Sequence, residues 1–277
     1  MIPDRCEDLI LKNHSFQDIE GDNFMKYEKP FVDFYVKHEI SPVSQDISDL
    51  TKHFERRSSL YRHLGIPPSF VRNKKVIEFG PGSGHNALFV SSLQPERYVL
   101  VDANPTGLKN TIKLLDDYLT ENQTNRTEHV FVESLIEEYQ SDEHFDLVLC
   151  EGVIPFQKNP TDFLQHVASF SSSGGIVVIT CSDSVSWLSE ILRRALGLSI
   201  VDENDAIERK INKLLPIFGY HLSTLKGMSR PHEDWILDNI LQPWLGELIS
   251  IAEAIKSLST DFDVYGSSPH FLTDWRW

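Results

Sequence analysis

The residues with the clearest chemical potential form one short run, Glu78-Phe79-Gly80-Pro81-Gly82-Ser83-Gly84. Glycines at alternate positions let the backbone turn sharply and bring a ligand close without meeting a Cβ atom. The run follows the apolar Val76-Ile77 and precedes a helical stretch, His85 to Leu93. A loop feeding a helix N-terminus aims unpaired N–H groups at whatever it cradles, which suits a nucleotide-like ligand. The spacing narrows the choice, because a dinucleotide fingerprint needs Gly-x-Gly-x-x-Gly and His85 stands where its third glycine belongs. Two further carboxylates extend the chemistry. Asp102 ends an apolar run roughly 20 residues beyond the loop, where a carboxylate accepts ribose hydroxyls. Glu151 ends a later apolar run and reads either as a general base or as an anchor for the charged end of a ligand. His85 reads as a helix-start residue near the ligand rather than as a base.

Strands must carry these groups to one edge. Val76-Ile77 leads into the glycine loop, Arg97-Tyr98-Val99-Leu100-Val101 ends at Asp102, and Phe145 to Cys150 ends at Glu151. His129-Val130-Phe131-Val132 and Ile176 to Thr180 supply two more β-branched, apolar runs. Helical spacing fills the gaps: Leu108, Ile112, Leu115 and Leu119 after Pro105, a polar turn from Glu121 to Glu128, and a helix from about Pro160 to Phe170. Alternating strands and helices give a parallel sheet covered on both faces, an α/β doubly wound fold, with ligands at the carboxyl ends of the strands.

From Val71 to Cys181 this order resembles the core of the class I S-adenosylmethionine (SAM) methyltransferases, with Gly80-x-Gly82-x-Gly84 matching their first motif. The resemblance implies a Rossmann-like, mostly parallel seven-stranded sheet and SAM as cofactor, with S-adenosylhomocysteine as product. It implies that Glu78 faces the methionine end, that Phe79, Gly80, Pro81, Gly82 and Gly84 line the cofactor, and that Asp102 and Ala103 meet the ribose. It puts Ser134 and Leu135 at the adenine; many members carry an acid where this chain has Leu135, so recognition there rests on backbone groups, Ser134 and apolar packing. A narrower resemblance spans Glu55-Arg56-Arg57, Leu60-Tyr61-Arg62 and Leu64-Gly65. It is to bacterial methyltransferases of unassigned substrate, some of which accompany surface-polysaccharide synthesis, and implies an O-methyltransferase acting on a sugar or glycan precursor. Two other readings share the scaffold: a SAM-binding sensor or partner subunit without catalysis, and a nucleotide-dependent oxidoreductase, disfavoured by His85. Transfer of another group from a SAM derivative is a variant within the family.

Composition bounds the partners. The 277 residues hold 26 Lys and Arg against 41 Asp and Glu, a net charge of -15, and each third of the chain is acidic. Nucleic-acid binding draws its affinity from neutralised phosphates, and Arg56-Arg57, Lys74-Lys75 and Arg193-Arg194 form no basic stripe. A small-molecule acceptor is therefore expected, with no nucleic acid and no membrane. No apolar run approaches the roughly 18 residues of a membrane span, and Met1 to Asp8 lacks the features of a signal peptide. Cys6, Cys150 and Cys181 make no CxxC pair and the histidines lack paired spacing, so no zinc site and no disulfide framework are expected, and the compartment reads as cytoplasmic.

The flanks shape the acceptor site. Residues 1–70 read as an N-terminal helical cap, with an aromatic stretch from Phe24 to Tyr35 and a helix from Ile47 to Leu64 whose Arg56 or Arg57 can reach an anion. Residues 71–182 form the cofactor core. Residues 183–277 read as a helical insertion followed by the final strands. Its helices are expected at Ser184 to Leu196, Glu203 to Phe218 and Pro231 to Leu258 with a break at Pro243, and Arg230 to Trp235 reads as helix capping. Phe262 to Tyr265 and Phe271-Leu272 would complete the sheet as a hairpin, and Trp275-Arg276-Trp277 gives an abrupt aromatic end.

Overall fold

A computed structural model describes residues 29–122, 126–244 and 246–269. Five strands, β1 (Lys75–Phe79), β2 (Arg97–Asp102), β3 (Glu128–Glu133), β4 (Phe145–Cys150) and β5 (Ser171–Ile179), form one sheet in the order β3-β2-β1-β4-β5, every pair parallel. The order reverses beside β1, so a crevice opens between the carboxyl ends of β1 and β4. Glu78, Asp102 and Glu151 all belong to that edge.

Helices cover both faces. One carries Tyr61 of α2 (Leu50–His63), Ala87 to Val90 of α4 (His85–Ser92) and Leu115 of α5 (Pro105–Asn122); α1 (Pro30–His38) and α3 (Pro68–Val71) flank α2 in the chain. The other takes Phe163, Leu164 and Val167 of α6 (Pro160–Ser169). The cap residues are those the chain favours: Asp49 accepts from the Lys52 N–H, Asn159 from that of Asp162, and Pro160 opens α6.

The insertion differs from its expected boundaries for local reasons. Asp183 accepts the N–H groups of Val185 and Ser186, holding a turn, so α7 begins at Leu188 and runs to Ile200. Asp202 does the same for Asn204, and α8 spans Ile207–Thr224. The long helix expected from Pro231 is broken into α9 (His232–Ile236), a π-helical turn (Leu237–Leu241) and, after the capping box of Ser250 and Glu253, α10 (Ile251–Leu258). Leu214, Phe218, Trp235 and Ile240 give this region its own apolar cluster, against which Phe34 of α1 packs.

Among the described residues the sheet has five strands rather than the seven expected. Phe262 to Tyr265 joins none of the five strands, and the Tyr265 hydroxyl donates to the Gly65 carbonyl. That contact places the segment beside the end of α2. Phe271-Leu272, Trp275 to Trp277, Cys6, the aromatic residues before Lys29 and the middle of the Glu121–Glu128 turn lie outside the described residues. Among the described residues, no helix is long and apolar enough to cross a membrane.

Candidate active site

A cavity of about 200 Å³ lies over the carboxyl ends of β1, β2 and β4. Glu78, Gly80, Pro81, Gly82, Asp102, Ala103, Leu135 and Glu151 line it; Phe79, Gly84 and Ser134 do not. Phe79 alternates to the opposite face of β1, where its ring meets Tyr139 and Phe170. Gly84 caps α4, and the Ser134 hydroxyl is taken by the carbonyl of Leu135.

The glycine loop requires its glycines. Gly80, Gly82 and Gly84 have φ of 73°, 59° and 78°, a region that side chains disfavour. The atoms facing Gly80 and Gly82 belong to the protein itself: a Cβ on Gly82 would lie 2.4 Å from Val43 Cγ2, and one on Gly80 2.5 Å from Val153 Cγ2. Val43 belongs to a strap, residues 39–49, that roofs the cavity. The strap is tied down where Ser83 Oγ donates to Ser41 Oγ (2.9 Å) and Asn104 Nδ2 donates to the Ile40 carbonyl (2.9 Å). Gly82→Ala should therefore lower unfolding free energy in urea by about 1–3 kcal/mol, from left-handed strain plus overpacking. Adding Val43→Ala should recover the overpacking share alone; full stability in the single variant would remove the strap from its place on the loop.

Asp102 is held at β2's end by the N–H groups of Gly82 (3.1 Å) and Asn104 (2.8 Å). Burial pushes its carboxyl up to about 6 despite those bonds. Burial likewise pushes Glu78 up to about 7, against the hydrogen bond that Tyr98 donates to it, with Glu151 adding repulsion. His85 is lowered to about 4, chiefly by burial, so its imidazole is neutral, and its buried Nδ1 has no partner among the described residues.

Sequence reasoning did not find the contact that fixes Glu151. Arg57 reaches from α2 and grips both carboxylate oxygens, Nη1 to Oε2 at 2.9 Å and Nη2 to Oε1 at 2.5 Å, a bidentate fork. The guanidinium also lies over the Tyr61 ring, 5.5 Å from its centre. Arg56, its neighbour, turns away to the Asp46 carbonyl. The site thus combines two carboxylates of raised proton affinity, a third neutralised by arginine, and the neutral imidazole of His85 on the cavity wall. Such a donor set suits a ligand that carries positive charge, hydroxyls and an amino-acid end, as SAM does; a pyrophosphate would face the carboxylates.

A family model described as methyltransferase domain matches residues 52–213, over half of the chain. No curated protein matches it. PKMT2 from Rickettsia typhi is similar in fold, 14% identical over 81% of this chain and 42% of that chain, with a TM-score of 0.52. The N-methyltransferase NodS from Bradyrhizobium japonicum WM9, in complex with S-adenosyl-L-homocysteine, is 16% identical over 53% of this chain and 71% of its own, with a TM-score of 0.39. The chain spans less than half the length of PKMT2. With a family match that begins inside α2, takes in the whole sheet and ends inside α8, this chain belongs to the S-adenosylmethionine-dependent methyltransferases.

Proposed function

We propose that the protein methylates a hydroxyl of a small neutral acceptor, a sugar or glycan precursor, and that its cavity holds SAM. The observation that carries this reading is the charge layout. Glu78, Asp102 and Glu151 stand at the carboxyl ends of three neighbouring strands and line one cavity, and among the described residues only Glu151 of the three has an ion-pair partner. Bound SAM supplies a methyl group on positively charged sulfur: the acceptor oxygen bonds to that carbon as the carbon–sulfur bond breaks, S-adenosylhomocysteine leaves as a neutral thioether, and the hydroxyl proton passes to water.

The chain's own residues orient the two partners and exclude solvent. In this reading Asp102 accepts the ribose hydroxyls, Glu78 balances the positive methionine end, and Gly80, Pro81, Gly82 and Ala103 form the cradle. Leu135 packs on the adenine. Glu151 serves as an anchor rather than a base, since both its oxygens are committed to Arg57. We further propose residues 71–182 as the cofactor core, residues 1–70 as its cap, and residues 183–277 as the acceptor-side insertion.

Thermal shift with SAM, S-adenosylhomocysteine, NAD and NADP tests the cofactor, with stabilisation expected from the first two alone. Calorimetry tests the site: Asp102→Ala should weaken S-adenosylhomocysteine binding by about 1.5–3 kcal/mol, as for lost hydrogen bonds to a charged group. Undiminished affinity in a folded variant would refute the assignment of Asp102.

A further inference from the structure

The cavity over the strand ends has a neighbour. An open groove of about 440 Å³ runs along the insertion past Leu225, Met228 and Asn239, and Gln45 and Arg230 line both spaces. These two residues therefore stand at the junction. Gln45 belongs to the roofing strap, and Ser229 donates its hydroxyl to the Gln45 side-chain carbonyl. Arg230 donates to Asp238 Oδ2, while the Tyr35 hydroxyl donates to Asp238 Oδ1 at 2.7 Å.

Tyr35 comes from α1, Asp238 from the π-helical turn, and the two are 203 positions apart. π-helical turns interrupt the regular ladder and occur often where a helix serves a site. The family match covers residues 52–213, so every member of this cluster lies outside the part of the chain that carries the shared methyltransferase core. Elements that vary around a common cofactor core are where acceptor choice resides.

Within the Tyr35–Asp238–Arg230 cluster the charges cancel, and Arg194, which also lies near Asp238, spends its guanidinium on the Asn239 carbonyl. Burial and the adjacent Asp238 hold Tyr35 well above the usual phenol range, so it is neutral, and Arg230 offsets Asp238. Lys29, the other cation on the cavity wall, is paired with Glu137. An anionic acceptor would have to break one of these pairs, and a cationic one would meet a carboxylate already neutralised. The cluster nevertheless offers a guanidinium, a carboxylate and an amide side by side, which can donate and accept together.

We propose that the Gln45–Arg230 junction is the acceptor site and that it takes a neutral polyhydroxylated compound. Its bulk lies in the outer groove, and one hydroxyl passes between Gln45 and Arg230 toward the cofactor methyl. The assignment rests on the cofactor reading above.

The test uses the full chain saturated with S-adenosylhomocysteine and calorimetric titration with methyl glycosides of neutral hexoses and 6-deoxyhexoses, against glucose 6-phosphate, a methyl hexuronoside and glucosamine. At least one neutral glycoside should bind, and its affinity should fall about 10- to 100-fold in Arg230→Gln and in Asp238→Asn, the scale of lost hydrogen bonds to charged groups. S-adenosylhomocysteine binding serves as the folding control. Gln45→Ala, on the strap, keeps the test decisive if the cluster variants do not fold, and should weaken the same glycoside. Binding by no neutral glycoside, tighter binding by a charged comparator, or unchanged glycoside affinity in the folded variants would overturn the proposal. Absence of S-adenosylhomocysteine binding in the wild type would instead sink the cofactor reading on which it stands.

Discussion

Replacing Arg57 with methionine is expected to lower the unfolding free energy by about 3–5 kcal/mol, the cost of leaving one member of a buried ion pair behind. Arg57 is 8% exposed, and the Glu151 side chain it grips is 20% exposed at the cavity wall, so the lower end of that range applies. Without the guanidinium, the repulsion between Glu151 and Glu78 loses the cation that offsets it. The double variant Arg57→Met with Glu151→Gln should regain at least half of the loss, because the stranded charge is gone. Urea unfolding of the four proteins in the cycle measures this. A single-variant loss below about 1 kcal/mol, typical of exposed pairs, would show that the pair is solvated. Glu151→Gln alone should weaken cofactor binding and turnover together if Glu151 is an anchor. Intact binding with turnover reduced about 10²–10⁴-fold would make it a base after all.

Cofactor affinity should fall by about two orders of magnitude between pH 8 and pH 5.5, in two stages. Without ligand, Glu78 holds its proton up to about pH 7 and Asp102 to about pH 6. A ligand that uses both as carboxylates must displace the Glu78 proton below pH 7, costing about tenfold per pH unit. Below pH 6 it must displace both, at about a hundredfold per unit. The sign for stability is opposite: a carboxyl whose folded value is raised stabilises the unliganded protein most when protonated, and that contribution is lost as pH rises through 6 and 7. Added cofactor should therefore raise the melting temperature more at pH 8 than at pH 5.5. Titration calorimetry in Glu78→Gln should remove the upper stage and leave the lower. A flat profile in the wild type would mean that neither carboxyl bears on the ligand.

How much of this was readable in the chain depends on how local the cause was. The glycine loop was legible because Gly80, Gly82 and Gly84 need a left-handed backbone, a property of each residue and its neighbours. The five strands were legible from β-branched, apolar runs between helical spacings, although β5 begins at Ser171, ahead of the expected Ile176. Helix starts in the insertion were misplaced where Asp183 and Asp202 spend their side chains on local turns, which periodicity does not register. The first half of the expected hairpin is no strand: Phe262 to Tyr265 carries a strand-like composition, but its Tyr265 hydroxyl meets Gly65 instead.

The sequence by itself therefore determined the parallel core, the cradle and the carboxylates at its rim, since periodicity and backbone preference act over a few residues. Tertiary structure alone decided what faces those groups: Val43 on Gly82, Arg57 on Glu151 across 94 positions, Tyr35 on Asp238 across 203. The reason is energetic. A buried charge or hydroxyl must find a partner somewhere in the folded chain, and no rule of spacing says where, because the choice is made by which surfaces the core brings together when it excludes water.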